Sequence, residues 1–246
     1  MESQLQSLFN TLYSDTLSAS QPVLDEIQAV MPEALEANGA MDYSWSKLER
    51  IGVVTSEDKK LRVFTWHVMD DPDHYRYFGY IQVAQKKDQT SVFELRDNLK
   101  GQRNLHTLEQ SADDWYGKLY YSIVTESYKR KTYYTLLGMD FNNTQSTIKT
   151  IETLTIQRNK PRFEKDLYFD GNGTLDRMVL EYSSQVAVTV RYDPGIKLIT
   201  FDHLEPLHPI YRNNFEFYGP DGSFDGLEFI NGIWNFHKDI DARNRD

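Results

Sequence analysis

The sequence predicts a mainly β protein: a long antiparallel meander preceded by a pair of α-helices. Three observations carry that expectation. Apolar residues recur at helical spacing over the first forty positions, the period drops to two from about Asp42 onward, and tight glycine-bearing turns separate the later runs. In the first helix Leu5, Leu8, Phe9, Leu12, Tyr13 and Leu17 share a face; in the second, Leu24, Ile27, Val30, Met31 and Leu35 do. Ser20 ahead of Gln21 and Pro22 reads as an N-cap with proline in the opening turn, and Asn38-Gly39 as the stop. Pro32 is expected to kink or shorten the second helix, because proline lacks the N–H that the helix ladder needs.

The strand candidates follow in order. They are Leu61 to Val68, Tyr75 to Ala84, Ser91 to Leu95, Trp115 to Glu126, Thr132 to Met139, Thr147 to Ile156 and Arg162 to Phe169. Leu175 to Tyr182, Val186 to Tyr192, Ile196 to Asp202, Asn214 to Tyr218, Phe224 to Phe229 and Gly232 to Phe236 complete the series. The clearest alternation sets Val186, Val188, Val190 and Tyr192 inward and Ala187, Thr189 and Arg191 outward. Turns are expected at Gly171-Asn172-Gly173, Asp193-Pro194-Gly195, Pro220-Asp221-Gly222 and Asn231-Gly232. Such short reversals force antiparallel pairing, since parallel neighbours need a crossover of about a dozen residues or more. A meander of this length must curl, close into a barrel, stack as a sandwich or divide into propeller-like blades, and the pattern leaves these open. The expected organisation is a helical segment, residues 1–41, packed on a single antiparallel β domain, residues 42–246; the polar stretch Lys100 to Asp114 reads as an insertion loop, with a lid or junction as its other readings.

Composition narrows the function classes. Thirty-seven acidic against twenty-seven basic residues give a net charge of -10, which repels a phosphate backbone and argues against nucleic acid as a partner. No apolar run approaches the roughly 18 residues of a membrane-spanning helix, so the chain reads as soluble. With no cysteine there is no disulfide, thiolate nucleophile or cysteine-held zinc.

Several segments carry a resemblance: DYSWSKLERIGVVTSEDKKLRVFTWHV (Asp42 to Val68), WYGKLYY (Trp115 to Tyr121), YYTLLGMDFNN (Tyr133 to Asn143), FDHLEP (Phe201 to Pro206) and YGPDGSFDG (Tyr218 to Gly226). Together they make most of the chain similar to an uncharacterised, β-rich family of Bacteroidetes proteins. The resemblance implies export behind a removed signal peptide, hence a periplasmic or otherwise extracytoplasmic location with Met1 marking a truncated start; it implies no activity.

The local motifs are weak carriers of chemistry. Asp170-Gly171-Asn172-Gly173-Thr174-Leu175-Asp176 matches the middle of a calcium loop, making Asp170, Asn172 and Asp176 the metal candidates. The loop's ends fail, because Tyr168 and Val179 fall where carboxylates are needed, and a glycine-bearing hairpin is the simpler reading. His203, Glu205 and His208 form an H-x-E-x-x-H cluster whose prolines, Pro206 and Pro209, forbid the helix that zinc motifs use. No G-x-S-x-G elbow is present. Adjacent aromatics such as Trp115-Tyr116, Tyr120-Tyr121 and Tyr133-Tyr134 are expected to place one ring in the core and the other on the outer face or in a pocket, since neighbours in a strand point to opposite faces.

The expected function is therefore a non-enzymatic extracytoplasmic binding or assembly module, presenting aromatic and acidic loops to a glycan, peptide or protein without a cofactor. Trp115, Tyr116, Tyr134, Asp140, Asp202 and His203 are the ligand-binding candidates. The alternative is a hydrolase of an envelope or dietary polymer using rim carboxylates Asp140 and Asp202 as acid and base, a chemistry that requires the two about 5 to 10 Å apart.

Overall fold

The computed structural model describes residues 1–14, 21–71, 73–86, 89–102 and 104–241. It is mainly β, with two N-terminal helices and antiparallel sheets that include a curled half-barrel. Helix α1 spans Glu2–Leu12 and α2 spans Gln21–Glu36; Leu17 and the expected cap Ser20 lie outside the described residues. Both bury the faces that their spacing marks, Leu5, Phe9 and Leu12 on α1 and Leu24, Ile27, Met31 and Leu35 on α2. Pro32 does not shorten α2, which runs four residues further. The carbonyl it leaves without a helical donor, that of Gln28, accepts from the Tyr80 hydroxyl at 3.4 Å. Gly39, at φ 76°, ends the helical segment in the left-handed region that favours glycine. Beyond it, Arg62 donates to the carbonyls of Ala40, Met41 and Tyr43, while Gln82 donates to that of Leu35 at 2.8 Å.

The first sheet is the meander β1 (Gly52–Thr55), β2 (Leu61–Asp71), β3 (His74–Ala84) and β4 (Thr90–Arg96). One face takes the helices, with Phe9 edge-on to Trp66 at 5.4 Å; the other packs Leu61, Val63, Ile81 and Val83 against the second sheet. That second sheet orders β11 (Arg177–Ser183), β7 (Ser146–Gln157), β6 (Lys131–Asp140) and β5 (Leu119–Tyr128), with β8 (Lys160–Phe163) on the far half of β7. At Gly52 the β1 backbone passes so close to β5 that an added Cβ would lie 2.8 Å from the Tyr120 carbonyl oxygen. The third sheet holds β9 (Tyr168–Phe169), β10 (Thr174–Leu175), β12 (Val190–Asp193), β13 (Leu198–Pro206), β14 (Tyr218–Ile230) and β15 (Ile233–His237), in the order β10-β9-β15-β14-β13-β12. It packs Val190, Ile199, Leu227 and Trp234 against Val124, Leu137 and Ile151 of the second sheet. Among the described residues no helix is long and apolar enough to cross a membrane.

The expected strands are largely present, with the following differences. β1 was not anticipated, and β5 starts at Leu119 rather than Trp115 because Trp115 makes only an isolated bridge to Asp97 and the N–H groups of Tyr116 and Gly117 donate to the side chains of Gln110 and Asp97 instead of a ladder. The Arg162 to Phe169 run splits into β8 and β9, which belong to different sheets, and regular pairing of the Val186 run begins only at Val190. Phe215–Phe217 is a short helical turn rather than strand. Pro220-Asp221-Gly222 makes no hairpin; it lies within β14, where the register against β13 shifts and Asp221 accepts from the Ser223 N–H at 2.9 Å. Antiparallel pairing is broken once between named strands, where β15 and β9 run parallel with Trp234 opposite Tyr168.

Candidate functional site

The face of the second sheet that looks toward the first changes character along its length. Tyr134, Leu136 and Leu154 extend the apolar core, whereas Gly138, Asp140 and Glu152 on the same face meet charged partners. Gly138 makes this possible. The stem of Lys118 lies over it, and a Cβ there would come within 2.9 Å of the Lys118 Cδ. Lys118 is in turn placed by Gly117, whose N–H donates to Asp97 at 2.9 Å in a gap too tight for any side chain.

Glu152 is 1% exposed and Lys118 fully buried. Glu152 Oε1 accepts from Lys118 Nζ at 2.8 Å and from the Tyr120 hydroxyl; Oε2 accepts from Arg177 Nε at 2.9 Å and Gln110 Nε2 at 2.7 Å. Trp115 Nε1 completes the chain by donating to the Tyr120 oxygen at 2.9 Å. Two cations share one carboxylate, and the Glu152 and Lys118 shifts both run downward, for different reasons. Burial pushes the Glu152 carboxyl up, but Lys118 and Arg177 outweigh it and hold it at about 2. Burial, with repulsion from Arg177, holds the Lys118 amine down at about 8 despite Glu152. The loop from Lys100 to Asp114 covers this cluster: the carbonyls of Leu105 and Leu108 accept from Arg177, and Gln110 Oε1 accepts from the Tyr116 N–H at 2.8 Å.

One strand-turn away, Asp140 is fully buried and triply engaged. Lys100 Nζ lies 2.6 and 2.7 Å from its two oxygens, the Tyr116 hydroxyl donates at 2.5 Å, and the Asn142 N–H donates at 2.8 Å. The Lys100 ammonium sits over the rings of Tyr77 and Tyr116, at 5.2 and 5.5 Å. Above this floor opens a cavity of 660 Å³, lined among others by Lys100, His106, Tyr116, Asn142, Glu181 and Phe215.

Tyr116 thus lines the cavity with Asp140 bonded to it beneath the surface, and the other expected site residues are placed elsewhere. Trp115 is buried among core aromatics, and Tyr134 is buried with its hydroxyl donating to Asp58 at 2.9 Å. The expectation of one core ring and one ring outward or in a pocket holds for Tyr120-Tyr121, whose second ring is exposed, and for Trp115-Tyr116, whose second ring lines the cavity; Tyr133-Tyr134 is buried throughout because the second sheet is covered on both faces. Asp202 accepts from the Thr189 N–H at 2.5 Å and exerts its field on Lys149, which lies on the opposite face of the second sheet from Asp140. Asp140 and Asp202 therefore do not face one space. His203 lies 2.6 Å from Asp225 and 3.2 Å from Glu205; burial works to lower its pKa, but these two carboxylates raise it. His208 bonds back to the Ile210 N–H, apart from that pair. Asp170 is occupied by the N–H groups of Asn172 and Gly173, and Asp176 by that of Asp166. Among the described residues no three His, Asp or Glu side chains converge as metal ligands.

Sequence reasoning missed Lys100, Lys118, Glu152 and Arg177. The available signal was Glu152 itself, a carboxylate inside the otherwise uncharged Thr150 to Ile156 run of a strand expected to be buried. No protein-family model, curated protein or solved structure matches the chain.

Proposed function

We propose that this protein is a non-enzymatic binding module whose ligand is a hydroxyl-rich molecule of glycan type, seated in the cavity above Lys100 and Asp140. The observation that carries this reading is the locked floor: Asp140 receives three partners and Glu152 four. Such carboxylates hold a shape, and these two are already committed to their partners rather than poised as an acid and base. The walls add side-chain amides, which both donate and accept, from Gln102, Asn104, Asn142 and Asn143, with the rings of Tyr116 and Phe215 beside them. Fixed amides and carboxylates suit paired hydroxyls, and aromatic faces suit the C–H surface of a sugar. The volume falls in the roughly 300–1,000 Å³ range of small-molecule sites. An extracytoplasmic setting belongs to the same reading and is supported by the sequence resemblance alone.

Titration against a panel of soluble oligosaccharides should give saturable binding. Asn142→Ala and Glu181→Gln should each weaken it about tenfold, the equivalent of about 1.4 kcal/mol and so of one or two hydrogen bonds. Turnover of a polymer that is abolished by Asp140→Asn in folded protein would replace this reading with the hydrolytic one.

A further inference from the structure

A second cleft, also 660 Å³, opens on the other face of the second sheet and owes nothing to the glycan reading. Its apolar walls include Met69, Tyr75, Met139, Phe141, Val186 and Val188. Met69 and Val186 are 46% and 39% exposed, which leaves large apolar surface at the mouth. Lys149 also lines the cleft; it stands opposite Met139 in the β6–β7 pairing. The Lys149 ammonium lies over the Tyr121 ring at 5.2 Å, and among the described residues no carboxylate is within ion-pair distance of it and no acceptor hydrogen-bonds to it. Asp202 acts on it only as a more distant charge. In a chain with ten more acids than bases, this cleft is lined by one cation and no carboxylate.

We propose that the cleft binds an amphipathic carboxylate, with its alkyl chain against the methionine, aromatic and valine walls and its carboxylate on the Lys149 ammonium. Charge complementarity selects the head: a half-buried amine with unmet donors favours an anion, and an acceptor-only carboxylate is the simplest group that satisfies it. The walls select the tail, since flexible thioethers and aromatic faces conform to an alkyl chain without offering it a polar partner. A cleft of this size with apolar walls, the small polar side chains of Asn143, Thr144, Thr147 and Ser184, and one convergent charge has the make-up of a small-molecule site.

Dodecanoate below its micellar concentration is the probe, with dodecanol and dodecyltrimethylammonium as the uncharged and cationic counterparts. Dodecanoate should bind saturably, and Lys149→Met should weaken it at least tenfold while changing dodecanol by no more than about threefold. Val186→Asp, at an exposed position on the wall, should weaken both. With the methionine methyls labelled for NMR, Met69 and Met139 should shift and Met31, buried beneath the helices, should not. The proposal is overturned if the cationic surfactant binds as tightly as dodecanoate, if Lys149→Met leaves the dodecanoate affinity unchanged, or if the shifts fall on other methionines.

Discussion

Replacing Glu152 by Gln should destabilise the protein by about 3–5 kcal/mol, because it leaves two buried cations without their shared anion. The amide keeps the shape but cannot accept at both ends, so one of its ends presents donors to donors, and Lys118, with no exposed surface, cannot turn to water. Urea unfolding with a fixed m-value measures the loss. Lys118→Met should cost less, since Glu152 would retain Arg177, Tyr120 and Gln110, and the cation excess would disappear. Equal losses in the two variants would show that the cluster is not organised around the carboxylate. The same group sets the acid limb of stability. Its folded pKa of about 2 lies below the ordinary 4.5, so its contribution is complete above about pH 4.5 and is lost as pH falls toward 2. That contribution is on the order of 3 kcal/mol, and Glu152→Gln should correspondingly flatten the dependence of stability on pH between about 5 and 2.

Trp234→Ala should cost a further class of stability, about 3–5 kcal/mol, at the seam between the second and third sheets. Trp234 is fully buried, its ring meets Phe229 at 5.1 Å, and its Nε1 donates to Thr135 Oγ1 at 2.9 Å. From Thr135 a chain of hydroxyls runs on to Thr153 at 2.8 Å and to Tyr168 at 2.7 Å, tying the sheets through buried polar atoms. Trp234→Phe should lose less, mainly the hydrogen bond, with an expected cost of about 1–3 kcal/mol. Thermal unfolding separates the two substitutions, and an alanine variant within about 1 kcal/mol of the parent would mean that the third sheet contributes little to the common core.

The helices and most strands were legible because local periodicity reports which residues face a core. Val188 and Val190 are buried and Ala187, Thr189 and Arg191 exposed, as their alternation predicts, whereas Val186, expected inward with them, is exposed because it lies ahead of the regular pairing that begins at Val190. Alternation carries no facing where both faces are covered, although the strand itself is present. From Leu61 to Trp66 every residue of β2 is buried, Arg62 and Thr65 included, so period two no longer separates inside from outside. The candidate site was half legible. Asp140 and Tyr116 came from a strand end and an aromatic pair, while Lys100, Lys118 and Arg177 were ordinary charged residues in sequence.

By itself the sequence determined the class of this protein: two amphipathic helices, a β meander, its tight reversals at Asp193-Pro194-Gly195 and Asn231-Gly232, and the acidic charge. These follow from properties of each residue and its near neighbours, namely side-chain period, backbone freedom and net charge. Only the tertiary structure decided that three sheets stack rather than close into one barrel, that β9 pairs with β15, and that residues as distant as Lys100 and Asp140, or Lys118, Glu152 and Arg177, meet. The physical reason is desolvation. A charged side chain looks the same in sequence whether it ends in water or in a core, and what fixes its role is the opposite charge that folding brings to it from a remote strand.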